Sequence, residues 1–132
     1  MSPRILSGII VVVVEDHEVV RSLLAQFLSQ QGARVIACSK VSDALVAVTR
    51  ERPDVVVSDI NLPDGDGFQL LRSIRRLGPE IGGNTPAIAM SALGATATNQ
   101  RALAAGFRSY LGKPFTPQQL LQAIQAALRP QS

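Results

Sequence analysis

The stretch DVVVSDINLPDGDGF, residues 54–68, decides the fold. Val55, Val56 and Val57 run through Ser58 into one aspartate, Asp59, and the pattern then breaks into Asn, Pro, Asp and Gly. An unbroken β-branched run of this kind suits a strand covered on both faces, as in the middle of a parallel sheet. The turn residues end that strand and leave Asp59 at its carboxyl end. In open α/β sheets ligands bind at that edge, so Asp59 is a candidate reacting group.

Working outward, the chain alternates short apolar runs with helical patterns. Residues 1–8 read as a loose lead-in, residues 9–128 as one domain and residues 129–132 as a tail. Residues 9–14 form a first buried strand, followed at once by Glu15, Asp16, His17 and Glu18. Val20, Leu23, Leu24, Phe27 and Leu28 then recur at helical spacing, and Gly32 stops that helix. Residues 34–38 are a second strand, and Ser39 is placed to cap a helix whose inward face is Val41, Ala44, Leu45 and Val48. Pro53 closes that helix and leads into the central stretch.

Beyond it, Phe68, Leu71, Ile74 and Leu77 make the stripe of a third helix, and the Gly-rich residues 78–85 form a loop. Residues 86–90 are a fourth strand, 96–105 an Ala-rich fourth helix and 107–111 a fifth strand. Thr116, Pro117 and Gln119 spell a capped start for the last helix, with Leu120, Leu121, Ile124 and Leu128 facing inward and Pro130 ending it. Five strands alternating with five helices predict an α/β fold, a parallel sheet covered on both faces through right-handed crossovers.

Composition narrows the function. A chain of 132 residues suits one domain burying roughly two thirds of its unfolded surface. No apolar run is long enough to span a bilayer, and no export signal is evident, so no membrane partner is expected. A single cysteine, Cys38, excludes an internal disulfide and fits a cytoplasmic location; it reads as a small core residue. The net charge of +3 comes from scattered basic residues with few aromatics, so no direct nucleic-acid contact is expected.

The alternation has one consequence for chemistry. Glu15 and Asp16 follow the first strand, Asp59 ends the third, Ser91 follows the fourth, and Lys113 with Pro114 follows the fifth. A parallel sheet gathers these residues at one edge although the chain scatters them. Three carboxylates brought together repel one another, and a hard divalent cation such as Mg²⁺ relieves the repulsion. Asp59 can then act as a nucleophile towards phosphorus, with Lys113 neutralising charge and Ser91 donating to a phosphoryl oxygen. Alone, Glu15 and Asp16 would read as helix-capping charges. With Asp59, Ser91 and Lys113 in register, the metal-site reading is favoured. His17 falls at the rim without a catalytic role, Asp64 and Asp66 read as turn and capping residues, and Gly67 fits a tight turn or close packing.

On these residues the chain resembles the response-regulator receiver domains of two-component signalling. The resemblance covers residues 9–128 and rests on Glu15-Asp16, Asp59 in DINLPDGDGF, Ser91-Ala92, and Tyr110 followed by Lys113-Pro114-Phe115. It implies a (βα)5 flavodoxin-like fold with strand order 2-1-3-4-5. It implies Asp59 as phosphoacceptor, Glu15, Asp16, Asp59 and the Asn61 backbone carbonyl as Mg²⁺ ligands, and Lys113 paired with the phosphoryl group. It further implies a switch through Ser91 and Tyr110, a cis Lys113-Pro114 bond, and a histidine kinase or phosphotransfer protein as donor. In this reading the chain is not an enzyme beyond assisting its own phosphorylation and dephosphorylation, and binds no organic cofactor. The segment 92–106 is the part expected to move, having little to bury.

Two departures are visible. Arg108 and Ser109 stand where many receivers carry acidic residues before the switch aromatic, so the dimer mode of many transcriptional regulators is not carried over. The long loop 78–85 resembles receivers attached to hybrid histidine kinases, which leaves a free-standing regulator and a module of a larger protein both open. Two other classes remain alternatives: an Asp-nucleophile, Mg²⁺-dependent phosphatase of small phosphoesters, and a flavin-binding domain. Asn61, standing two residues after Asp59 where such phosphatases usually place a second aspartate, weighs against the first. Acidic strand ends, which repel a flavin phosphate, weigh against the second.

Overall fold

The valine runs do what their composition requires. In a computed structural model that describes residues 5–91 and 96–129, Ile10–Val14 (β1) and Val55–Asp59 (β3) are two of the three inner strands of a five-stranded parallel sheet. Arg34–Cys38 (β2) pairs with β1, Ala87–Ser91 (β4) with β3, and Ser109–Gly112 (β5) with β4, giving the order β2-β1-β3-β4-β5. Val11, Val12, Val13, Val14, Val55, Val56 and Val57 are all fully buried. Alternate residues point to opposite faces, so Val12, Val14 and Val56 join one core layer while Val11, Val13, Val55 and Val57 join the other.

Helices cover both faces. Val41–Glu51 (α2), Gly67–Arg75 (α3) and Thr96–Ala105 (α4) supply the first layer through Ala44, Val48, Phe68, Leu71, Ile74 and Ala102. Glu18–Gln30 (α1) and Pro117–Leu128 (α5) supply the second through Leu28, Leu120, Leu121 and Ile124. The start of α5 has the capping box anticipated from its sequence: Thr116 Oγ1 accepts from Gln119 N–H at 3.1 Å and Gln119 Oε1 accepts from Thr116 N–H at 2.8 Å.

Several boundaries and roles differ from the sequence reading, each for a physical reason. Strand β4 starts at Ala87 because Pro86 has no N–H, although its carbonyl still accepts from Val56 at 2.9 Å. Strand β5 starts at Ser109 because Gly106, at φ 113°, closes α4 and lets Phe107 N–H bond back to Ala102 O. The lead-in is anchored by Leu6, only 1 % exposed, whose N–H bonds to Gln31 O. Leu23 belongs to the helical stripe yet is 59 % exposed, because the stripe runs past the sheet into an open groove against α5. The loop 78–85 holds a short 3₁₀ turn, Pro79–Ile81. Residues 1–4, Ala92 to Ala95, and the expected stop at Pro130 lie outside the described residues.

The cap of α2 is the largest departure. Ser39 makes no cap, and Lys40 occupies the N-cap position without a side-chain bond. The carboxylate of Asp64 caps the helix from across the molecule, accepting from Val41 N–H at 2.7 Å and Ser42 N–H at 3.2 Å. Those two bonds, the Val41 one foremost, hold its carboxyl below the ordinary carboxylate range. Asp66 caps α3 through Gln69 N–H at 2.7 Å. Between them Asn61–Leu62 and Gly65–Asp66 form a two-residue antiparallel ladder, so the turn after Asp59 is ordered by its own short pairing.

Gly67 fixes how α3 meets the end of β3. A Cβ there would stand 2.7 Å from the backbone oxygen of Asp59 and 3.1 Å from Ile60 Cα, both backbone atoms that cannot swing aside. Gly67→Ala is therefore expected to lower stability by about 1–3 kcal/mol, the usual cost of overpacking. Urea denaturation measures it; an unchanged midpoint would show that β3 and α3 separate freely.

Candidate functional site

The carboxyl edge of the sheet collects the residues singled out above. Glu15 leaves β1 with its N–H bonded to Cys38 O at 2.9 Å, which turns its side chain over the sheet end. It is 1 % exposed and Asp59 is 7 % exposed, whereas Asp16 faces solvent. One carboxylate oxygen from each of Glu15, Asp16 and Asp59 lies within 4.8 Å of the others. Lys113 reaches in from the loop after β5: its Nζ donates to Asp59 Oδ2 at 2.9 Å and to Glu15 Oε1. The second oxygens are also engaged, Asp59 Oδ1 by Asn61 N–H at 3.2 Å and Glu15 Oε2 by His17 N–H at 3.1 Å.

Electrostatics follow from this packing. Burial raises the Glu15 carboxyl above its ordinary value, and the nearby charge of Asp59 pushes the same way; the bond from Lys113 and the His17 N–H pull against them. Burial also pulls Lys113 down, but its bonds to Asp59 and Glu15 outweigh that and hold the ammonium above its ordinary value. One ammonium thus faces three carboxylates, and the set carries an excess of negative charge. Hard oxygen donors in that excess are a donor set that suits a small divalent cation.

The other expected residues are nearby. Ser91 ends β4 next to Lys113, its carbonyl accepting the Lys113 N–H at 2.6 Å. Tyr110 is half-buried on β5, paired with Ala89 and packed against the α2–α4 layer. The Lys113-Pro114 bond is cis. Cys38 is buried, and desolvation lifts its thiol to about 11, so it behaves as an inert core residue.

Sequence reasoning missed two supports and the partner of a third. Arg21 Nη1 donates to Glu15 O at 3.0 Å and Asp16 O at 3.4 Å, tying the acidic loop to α1; its signal was a basic residue one helical turn after the acidic pair. His17 is the N-cap of α1, its Nδ1 accepting from Val20 N–H at 3.4 Å, and does not turn into the acidic cluster. Asp64 anchors the turn after Asp59 to α2, and nothing local in the sequence shows it.

The strand order defines the flavodoxin-like class of doubly wound folds. Within that class the chain belongs to the response regulator receiver domain family, whose model matches residues 11–125. It is 38 % identical over 115 residues to an uncharacterised 14.6 kDa protein from the sodA1 3′ region of Leptolyngbya boryana, covering 87 % of this chain and 86 % of that one. It is 33 % identical over 119 residues to the KDP operon transcriptional regulatory protein KdpE of Escherichia coli, covering 90 % of this chain but only 51 % of KdpE. Among solved structures it is similar to the receiver domain of the sensor histidine kinase PA1611 of Pseudomonas aeruginosa, with a TM-score of 0.82, 30 % identity, and 92 % and 98 % of the two chains covered. That structure has a magnesium ion coordinated in the active-site cleft. Receiver domains are signalling domains that work with histidine kinases or phosphotransfer proteins. No helix among the described residues is long and apolar enough to cross a membrane.

Removing the Lys113 ammonium isolates its effect. Lys113→Ala is expected to destabilise the metal-free protein by about 1–3 kcal/mol, less than a fully buried pair because the lysine is partly open to water. The sign with pH follows from Glu15. A carboxyl raised in the folded state adds stability at low pH that is lost as pH rises through the raised value. Without Lys113 that value climbs further, so the deficit is expected to be largest at neutral pH and to shrink towards about pH 4. Thermal melts across pH in EDTA measure it, and a pH-independent deficit would contradict the pairing.

Proposed function

We propose that this chain is a phosphorylation-dependent switch in which Asp59 accepts a phosphoryl group from the phosphohistidine of a histidine kinase or phosphotransfer protein. The observation that carries the reading is the position of Asp59. It ends a rigid buried strand, with Lys113 on one oxygen and two further carboxylates beside it. A carboxylate oxygen of Asp59 attacks phosphorus, the P–N bond to the donor imidazole breaks, and its electron pair returns to the ring nitrogen. Magnesium, held by Glu15, Asp16, Asp59 and the Asn61 carbonyl, would supply charge neutralisation on the phosphoryl oxygens when bound.

The remaining roles follow from placement. Lys113 moves its bond from Asp59 to a phosphoryl oxygen, since the carboxyl of the acyl phosphate no longer carries the charge that held it. The Ser91 hydroxyl turns to donate to another phosphoryl oxygen, and Tyr110 follows inward. Phosphorylation then favours the arrangement in which these contacts form, and α4, whose Ala-rich face buries little, is the element that shifts. Family membership favours this switch over the phosphatase and flavin readings. A cytoplasmic location and an output carried by another domain or protein are parts of the same proposal.

Incubation with magnesium and acetyl phosphate is expected to give a phosphoryl adduct seen by mass spectrometry, absent in Asp59→Asn and in EDTA. An adduct that persists in Asp59→Asn would place the acceptor elsewhere, and no adduct in the wild type would remove the proposal.

An apolar groove beside the acidic cluster supports a docking face for the donor. An apolar groove of about 540 Å³ runs between α1 and the start of α5, lined by Val20, Leu24, Phe27, Phe115 and Leu120, with Lys113 at its end. Because Lys113 belongs both to this groove and to the acidic cluster, a helix seated here brings its histidine to Asp59. Leu23, and Val19 at 61 % exposure, extend the apolar surface beside it. Leu23→Asp is expected to slow transfer from a phosphorylated donor protein by about tenfold, roughly 1.4 kcal/mol. Labelling by acetyl phosphate should be unchanged. Equal slowing of both reactions would mean the substitution damages the site and not the docking.

A further inference from the structure

The opposite edge of the sheet has a site of different character. A cleft of about 620 Å³ opens where Arg75 ends α3, Asn84 and Pro86 precede β4, and Phe107 and Arg108 precede β5, with Leu103 of α4 at its rim. We propose that this cleft binds a small organic phosphate monoester, held by Arg75, Arg108 and Asn84. The proposal is independent of phosphorylation at Asp59.

Three observations carry it. First, the two arginines share the cleft with no carboxylate in its lining among the described residues. Burial, and next the charge of Arg108, pull the Arg75 guanidinium below its ordinary value, and no acidic group offsets them. Second, each guanidinium is held by one nitrogen only. Arg75 Nη1 donates to Gly83 O at 3.1 Å and Thr85 O at 2.7 Å, and Arg108 Nη1 donates to Ala127 O at 2.9 Å. Those bonds fix both side chains, yet Nε and Nη2 of each make no protein hydrogen bond among the described residues. A fixed guanidinium with free N–H groups is prepared for an oxyanion, and two of them suit a dianion. Third, the surface of the cleft is mostly polar, with Phe107, Pro86 and Leu103 contributing only its smaller apolar part, which suits a polar ligand. Its volume falls within the roughly 300–1,000 Å³ of small-ligand sites.

A bracing role alone would need only the Nη1 bonds. Arg75 ties the loop 78–85 to α3, and Arg108 ties β5 to the carboxyl end of α5. Bracing does not call for two like charges in one cleft without a counter-ion, since their repulsion works against the brace.

The test is titration of the purified chain with adenosine 5′-monophosphate, adenosine and inorganic phosphate, followed by amide chemical shifts in EDTA so that no metal bridges a phosphate to the acidic edge. The monophosphate is expected to saturate, to shift the amides of Asn84, Gly106, Phe107 and Arg108, and to bind at least about tenfold tighter than adenosine. Inorganic phosphate should shift the same amides more weakly. Asn84→Asp places a carboxylate on an exposed position of the cleft, leaves both braces intact and should weaken the monophosphate about tenfold at unchanged melting temperature. Arg108→Gln should weaken it similarly. Shifts confined to the Asp59 edge, affinity equal to that of adenosine, inorganic phosphate binding as tightly as the monophosphate, or binding unaffected by Asn84→Asp would each overturn the proposal.

Discussion

The ammonium of Lys113 between Glu15 and Asp59 is the contact on which the carboxyl edge of this molecule depends. These residues are 98 and 54 positions away from the lysine in the chain, and they meet because β1, β3 and β5 are parallel strands of one sheet. A buried carboxylate is costly unless it is paired and hydrogen-bonded. Glu15 and Asp59 each satisfy one oxygen with a neighbouring backbone N–H and the other with Lys113. The burial itself is imposed by the valines beneath. Their hydrophobic gain, about 1.5–3 kcal/mol for a fully buried side chain as an upper figure, holds the strand ends in place whether or not the charges above are comfortable. The site is therefore rigid below and electrostatically tense above, which lets a change of charge there shift its surroundings.

What was legible in the sequence was local or periodic. The run Val55-Val56-Val57 announced an inner strand because β-branched residues on both faces have no other economical place, and Thr116, Pro117 and Gln119 announced the start of α5 because a capping box is complete within four residues. Strand ends then placed Glu15, Asp16, Asp59, Ser91 and Lys113 at one edge by topology alone. What was not legible was set by contacts across the fold. Asp64 caps a helix 23 residues before it, a relation that no local pattern encodes, and Ser39 lost that role for the same reason. Leu23 followed the helical period correctly but lies beyond what the sheet can cover, so periodicity predicted a face and not its burial. The strands β4 and β5 began later than expected because Pro86 and Gly106 govern backbone bonding, which apolar content does not report.

The turn after Asp59 is a second scaffold for that residue. Asp64 and Asp66 each end on the amino terminus of a helix, so residues 61–66 are clamped to α2 and α3 at once. Gly67 then brings α3 against the backbone of Asp59 itself. The sequence reads both carboxylates as turn and capping residues, and both are committed to backbone N–H groups. Their work is to fix the direction in which the Asn61 backbone faces the acidic cluster.

A parallel sheet has one further consequence: its two edges are chemically separate, and each strand connects them. Strand β5 makes this concrete. Arg108 stands just before it in the basic cleft and Lys113 just after it in the acidic cluster, with only the four residues Ser109–Gly112 between. At about 3.3 Å per residue the Cα atoms of the two residues stand roughly 16 Å apart along one short rod. Tyr110 lies midway, packed against the layer that includes α4. One short strand thus carries opposite chemistry at its two ends, and its pairing with β4 from Ser109 to Gly112 holds both ends in one sheet.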